Sequence, residues 1–112
     1  MQPLTNDATT ALLRAIRAKF VNFGAVTFEE IISRSWASVT FTGARHEIAL
    51  RVDGEGAEGA ASAFLANLET AEFRLRGHVL ADIAPVSEER STSPDGASRV
   101  RIRLEALTVE DG

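Results

Sequence analysis

The sequence predicts an α+β domain in which two helices cover one face of a four-stranded antiparallel sheet, in the order αββαββ. Three observations support this prediction. Two segments repeat apolar residues at helical spacing, four segments alternate apolar with polar residues, and turn-forming residues separate the segments. The expected architecture is a two-layer sandwich whose connectivity is a permuted form of the ferredoxin-like order.

Length and composition indicate a single domain over residues 1–112. An apolar fraction of 45% and a charged fraction of 25% are typical of globular proteins. The absence of cysteine excludes disulfides, a thiol nucleophile and a thiolate metal site. A preference for arginine, with Lys19 as the only lysine, is typical of a GC-rich bacterial genome.

Charge and hydropathy favour a cytoplasmic protein with no membrane association. The net charge of −4 argues against a general attraction to nucleic acid or to anionic lipid. No apolar run reaches the length of about 20 residues that a membrane span needs. The first ten residues lack the pattern of a secretory signal.

The first helix is predicted to begin at Asn6 or Asp7, either of which can cap it, and to end at Gly24. Its apolar stripe recurs at helical spacing and consists of Leu12, Leu13, Ile16, Phe20 and Phe23.

Residues 25–34 allow two interpretations. Thr27 followed by Glu30 is a capping-box pattern, which favours a helical turn. Val26, Phe28 and Ile32 alternate with polar residues, which favours the start of a long strand. The alternation weighs slightly more, so a strand is expected here.

A β-hairpin is predicted over residues 35–53, with Gly43 and Ala44 as the central residues of a type II′ turn. In that register one face of both strands is apolar and the other is polar. The predicted cross-strand pairs are Phe41 with His46, Val39 with Ile48, Ala37 with Leu50, and Trp36 with Arg51.

The second half of the chain repeats the helix and hairpin order. After Gly54 and Gly56, a helix is expected with an apolar side of Ala57, Ala61, Phe64, Leu65 and Leu68. A strand over residues 72–86 is expected to end at Pro85. Its predicted core face holds Phe73, Leu75, Val79, Ala81 and Ile83.

Residues 87–98 are rich in polar turn formers and predict a mobile loop. The last strand is predicted over residues 99–109, and its expected core residues are Val100, Ile102, Leu104 and Ala106.

The sheet face turned away from the helices is the candidate working surface. The alternation places there Trp36, Arg51, Arg74, Arg76, His78, Arg101 and Arg103. Tryptophan with arginine is typical of protein interfaces, and Leu80, Leu107 and Val109 add apolar area. The leading hypothesis is therefore a small non-enzymatic interaction or accessory protein that forms a homodimer through this face.

Two alternatives remain open beside a plain solvated face, which Glu47, Asp82 and Glu105 would also decorate. The arginines suit a binding module for an anionic ligand, namely a nucleotide, a polyanion or an acidic metabolite. A small enzyme would use His78 with Asp82 as an acid–base pair. His46 lies on the predicted core face and is expected to be a hydrogen-bonded structural residue.

No catalytic residue, cofactor or metal ligand is predicted outright. The sequence has no phosphate-binding loop, dinucleotide fingerprint or nucleophile elbow. Its two histidines lack the spacing of a metal site.

Overall fold

The structure, a computed structural model, describes residues 7–20 and 26–110. It contains two helices and four strands: α1 (Ala8–Ala18), β1 (Val26–Ala37), β2 (Thr42–Asp53), α2 (Ala57–Ala66), β3 (His78–Thr92) and β4 (Ser98–Glu110). The strands form one antiparallel sheet in the order β1-β2-β4-β3. The predicted α+β two-layer fold is confirmed, and the permuted ferredoxin-like connectivity is compatible with it.

Helix α1 begins where the sequence places a cap. The Asp7 carboxylate accepts a hydrogen bond from the backbone N–H of Thr10 at 2.6 Å, which satisfies a donor that the helix itself leaves unpaired. Leu12 and Ile16 are fully buried, as their spacing predicted. The predicted roles of Asn6, Phe23 and Gly24 fall outside the described residues.

The core lies between the helices and the two central strands, β2 and β4. Ile48, Leu50 and Val52 of β2 are buried, and so are Val100, Ile102, Leu104 and Ala106 of β4, as predicted for the latter strand. Phe20 and Phe64 join the helices through rings whose centroids lie 4.8 Å apart. Within residues 7–20 and 26–110, neither helix has the length and apolar character needed to cross a bilayer.

Residues 26–37 form the strand that the alternation favoured. β1 pairs with β2 from Val26 to Ala37, and a bulge interrupts the register between Phe28 and Glu30. The strand is more stable than a helical turn here because it buries Val26 opposite Val52 in the sheet. A single helical turn would not make that contact.

The predicted hairpin register is wrong. The turn consists of Ser38–Phe41, and Gly43 lies inside β2 opposite Trp36, so Trp36 does not pair with Arg51. The Ser38 side chain closes the turn, because its hydroxyl accepts a hydrogen bond from the Phe41 N–H at 3.0 Å. Val39 is fully exposed at the tip instead of facing Ile48 in the core.

β3 also differs from its prediction at both ends. It begins at His78, after a turn in which Leu75 bridges to His78 and Gly77 adopts a φ of 78°. It continues through Pro85 to Thr92, so residues 87–92 are strand and the connection to β4 is short. Proline is tolerated because β3 is an edge strand, where a missing N–H costs no hydrogen bond in the sheet.

Candidate interaction surface

The outer face of the sheet is the face turned away from α1 and α2. Residues paired across β2 and β4 lie on the same face of the sheet. The buried pairs face the helices, so the residues that alternate with them along each strand lie on the outer face. This face divides along its length. One end, the charged half, consists of Glu29, Glu30, Arg51, Asp53, Arg99, Arg101 and Arg103. The other end, the apolar half, consists of Trp36, Val79, Leu107 and Val109, with the charged residues Arg45 and Asp82 on either side of Leu107 in register.

A continuous ladder of ion pairs connects the charged half. Asp53 accepts hydrogen bonds from the Nε atoms of Arg51 at 2.7 Å and Arg99 at 2.6 Å. Glu29 accepts from Arg51 Nη1 at 3.0 Å and from Arg101 Nε at 3.1 Å. Glu29 is the residue that the bulge in β1 inserts, and its carboxylate lies between two neighbouring strands.

The ladder holds both carboxylates ionised. Partial burial raises the pKa of Glu29, but its hydrogen bonds and attraction to Arg101 and Arg51 outweigh this and lower the pKa overall. The pKa of Asp53 is lowered in the same way, against the effect of burial, by Arg99 and Arg51. The guanidinium groups are therefore bound to carboxylates of the same chain.

Two outer ion pairs are longer and more exposed than the ladder. Arg103 lies 3.7 Å from Glu30, and Arg34 lies 3.6 Å from Glu47. Water screens pairs of this kind, which contribute little to stability. Glu30 and Arg34 consequently retain charges that another chain can engage.

Three of the five predicted outer-face arginines lie where expected. Arg51, Arg101 and Arg103 project from β2 and β4 into the charged half. Arg74 and Arg76 lie instead before the first residue of β3, in the connection from α2. The sequence alternation through residues 72–77 suggested a strand, but the turn at Gly77 ends that alternation.

His78 lies on the helix side of the sheet, so its predicted outer-face position is wrong. It pairs in register with Glu110, and its Nδ1–H donates to the Arg76 carbonyl at 3.1 Å. A bulge after Leu80 returns Asp82 to the outer face, opposite Leu107. His78 and Asp82 therefore lie on opposite faces, and the acid–base pair considered for an enzyme is not formed.

The apolar half surrounds Trp36. Its indole lies against Gly43, where an added Cβ would overlap the Thr108 carbonyl oxygen and lie 3.1 Å from Trp36 Cε2. The Thr108 carbonyl therefore requires glycine at position 43, and the half-buried ring makes the contact tighter. Beside it Val79, opposite Val109 in register, is 51% exposed. Neither α1 nor α2 covers this cluster, because both pack on the other face.

A chain of polar side chains crosses the helix side of the sheet, from an exposed end at Ser33 to a buried end at Thr108. Thr9 donates to Ser33 at 2.7 Å, Ser33 Oγ lies 2.8 Å from His46 Nδ1, and His46 Nε2 lies 2.9 Å from Thr108 Oγ1. Thr108 Oγ1 donates onward to the Ala44 carbonyl. Because that carbonyl only accepts, the chain has one consistent direction: His46 donates from Nε2 and accepts from Ser33 at Nδ1.

The predicted structural role of His46 is confirmed, although its neighbour on β1 is Ser33 and not the expected Phe41. The side chain is 1% exposed, and burial, with a smaller effect of His78, lowers its pKa despite the opposing charge of Asp7. Sequence reasoning missed Ser33 and Thr108. Thr108 is a polar residue at a core position of β4, and Ser33 lies opposite His46 in β1, so both roles can be recognised only once the register is known.

This polar chain lies beside an open groove of about 1320 Å³ on the helix side of the sheet. Residues from the N-terminal end of α1, from β1 and from the start of β3 line it, including Thr9, Ser35, Arg76 and His78. Within residues 7–20 and 26–110, no three histidine, aspartate or glutamate side chains are close enough to hold a metal ion.

Comparison with known proteins gives a fold likeness. No family model matches the chain, and no curated protein matches its sequence. A chain of the solved structure "Virion of native gene transfer agent (GTA) particle" is similar, with a TM-score of 0.62 and 15% identity. The match covers 97% of this chain and 99% of that chain. At this identity the likeness concerns the fold.

Proposed function

We propose that this chain is a non-enzymatic assembly subunit that associates with a second copy of itself through the outer face of its sheet. The observation that carries the proposal is the apolar half. Trp36, Gly43, Val109 and Val79 form one row across the four strands on a face that neither helix covers, and Leu107 follows Val109 on the same face of β4. Exposed clusters of this kind are typical of protein contact sites.

The size of the face suits a stable pair. Strands of 12 or 13 residues at about 3.3 Å per residue, spaced about 4.8 Å apart, give a four-stranded face of roughly 700 Å². A standard interface buries roughly 800 Å² on each partner. The apolar half supplies the area that excludes water, and the charged half supplies a polar rim.

The arginine ladder supports association over binding of an anionic ligand. Arg51 and Arg101 already donate to carboxylates of the same chain at 3.1 Å or less. A phosphate or carboxylate ligand would have to displace Glu29 or Asp53 and leave that side chain without its partners. The apolar half loses no such contacts when a second chain covers it.

The fold likeness agrees with a role in an assembly. The similar chain belongs to a virion, which is a particle built from many subunits, and the two chains match over nearly their whole lengths. A subunit of a particle needs surfaces for neighbouring chains and no catalytic site.

The test measures mass by light scattering and the emission of Trp36 during dilution. Trp36 is the only tryptophan and the chain has no tyrosine, so the emission reports on the apolar half alone. We expect a mass above that of one chain, and an emission that shifts to longer wavelength as dilution separates the chains.

The decisive variant is Val79→Asp, which places a charge in the apolar half. We expect self-association to weaken by about 100-fold, because burying a valine contributes about 1.5–3 kcal/mol and a buried unpaired charge adds a cost. Val39→Asp is the matched control, because Val39 is fully exposed at the hairpin tip. A wild-type chain that is monomeric throughout, or a Val79→Asp chain with wild-type mass, contradicts the proposal.

A further inference from the structure

The two edges of the sheet differ in their ability to accept another strand. β3 contains Pro85 and two bulges, one after Leu80 and one after Pro85, all of which interrupt a regular ladder. Such features protect an edge against pairing with a further strand. β1 has one bulge near its start, and its register then runs unbroken from Glu30 to Ala37.

The regular part of β1 is exposed on both faces. Ile31 is 38% exposed on the helix side, and Ile32 is 37% exposed on the outer face. In the sheet of the described residues, β1 has a neighbouring strand, β2, on one side. Its other side presents a row of backbone donors and acceptors with isoleucine on either face, which is the arrangement that recruits an added strand.

The charges around Ile32 are self-complementary. The sequence from Glu30 to Arg34 reads Glu-Ile-Ile-Ser-Arg, with the acid and the base at equal distances from Ile32. In an antiparallel pair of two such strands centred on Ile32, each Glu30 lies directly opposite Arg34 of the other chain. All three residues lie on the outer face, so the two ion pairs flank an isoleucine pair.

We propose that β1 is a second self-association site, at which the β1 strands of two copies pair antiparallel about a two-fold axis at Ile32. The pairing joins two four-stranded sheets into one sheet of eight. A two-fold axis suits the contact, because a self-complementary segment on one chain meets the same segment on the other. This site does not depend on the contact through the outer face.

The environment of the charges within one chain supports this register. Arg34 faces Arg45 across the β1–β2 pair, and like charges in that position repel. Its ion pair with Glu47 is long, at 3.6 Å, and the Arg34 side chain is 73% exposed. Glu30 of a second copy would give Arg34 a directly opposed carboxylate.

The experiment uses charge reversal in a chain that already carries Val79→Asp, so that the contact through the outer face is weakened and the edge is measured alone. Sedimentation velocity of this chain should show a dimer that dissociates on dilution. Glu30→Arg and Arg34→Glu should each weaken the dimer by about 10-fold, because each puts two like-charged pairs at the interface. Glu69→Arg, a reversal away from the sheet, is the control and should leave the dimer unchanged.

Mixing the two single variants tests the register itself. One chain then has arginine at both positions and the other has glutamate at both, so all cross-strand pairs become attractive. We expect the mixture, and also the double variant Glu30→Arg/Arg34→Glu, to recover the wild-type affinity.

Three outcomes overturn the proposal: a Val79→Asp chain that is monomeric throughout, single variants that dimerise like their parent, or a mixture that fails to recover. The result for the outer face is separate, because it rests on the difference between wild type and Val79→Asp.

Discussion

The charged half and the apolar half of the outer face belong to the same four strands, yet their side chains are satisfied in different ways. In the charged half, Glu29 and Asp53 each bind two arginines of the same chain. These carboxylates therefore have their charge partners within one molecule. In the apolar half, Trp36 and Val79 retain exposed area that residues 7–20 and 26–110 leave uncovered. The charged half therefore needs no second chain to pair its charges, whereas the apolar half would bury its exposed area against one.

Gly43→Ala should show the largest effect, by breaking the apolar half. The added Cβ overlaps the Thr108 carbonyl oxygen, so β2 and β4 must separate locally and Trp36 must move. We expect a loss of about 1–3 kcal/mol in the free energy of unfolding, measured by urea denaturation.

The matched control is Gly59→Ala in α2, where an added Cβ meets open space. Alanine in a helix is favoured over glycine by about 0.5–1 kcal/mol, so this variant should be slightly more stable than wild type. A Gly43→Ala chain as stable as wild type would show that β2 and β4 tolerate the extra carbon.

A smaller effect is expected from pH, acting on the helix side behind the apolar half. Burial lowers the pKa of His46, so between its lowered pKa and its ordinary value of about 6.5 the unfolded chain binds more protons than the folded one. Stability from this group is complete above about pH 6.5 and is lost as the pH falls below that value.

Urea denaturation at intervals of about 1 pH unit, from about pH 7.5 to about pH 5, measures this loss of stability. His46→Gln removes the titrating group and should flatten the curve over that range, at the cost of a lower stability at pH 7.5. An unchanged slope in His46→Gln would assign the pH dependence to another group.

The smallest effect is expected in the charged half. Glu29→Gln removes the ion pairs with Arg51 and Arg101, whose exposed positions limit the loss to about 0.2–1 kcal/mol. The loss should shrink as salt is added. Glu105→Gln is the control on the same face, because Glu105 lies opposite Glu47 and its removal relieves repulsion. Equal effects of the two variants would mean that the ladder contributes nothing specific.

The fold class was predictable because the alternation along β2 and β4 expresses a single physical constraint, burial of one sheet face. The residues Val100, Ile102 and Leu104 satisfy it without any competing signal. The ambiguous segment before Arg34 also became a strand, since pairing along β2 gains more contacts than one helical turn.

The hairpin register was not predictable from local turn preferences. Glycine suggested the turn, but Gly43 is required by the close approach of the Thr108 carbonyl, which lies far from it in sequence. The real turn at Ser38–Phe41 uses a serine hydroxyl to bind backbone N–H groups, a weaker sequence signal than glycine.

The positions of some candidate-site residues were predictable from the alternation along the strands. Arg51, Arg101 and Arg103 follow the alternation of the two central strands, whose register is unbroken. Arg74, Arg76 and His78 did not, because the chain turns at Gly77 and the bulge after Leu80 shifts the alternation within β3. The carboxylate partners of the arginines come from other strands, and only the register brings them together.

The proline and bulges in β3 have a consequence for how far association at β1 proceeds. A sheet with two receptive edges adds chains without limit and forms fibrils. A sheet with one receptive edge and one blocked edge can pair with only one other sheet through its edges. Pairing of edges therefore stops at two chains. Under the pairing proposed for β1, replacing Pro85 would therefore make the β3 edge better able to accept a further strand.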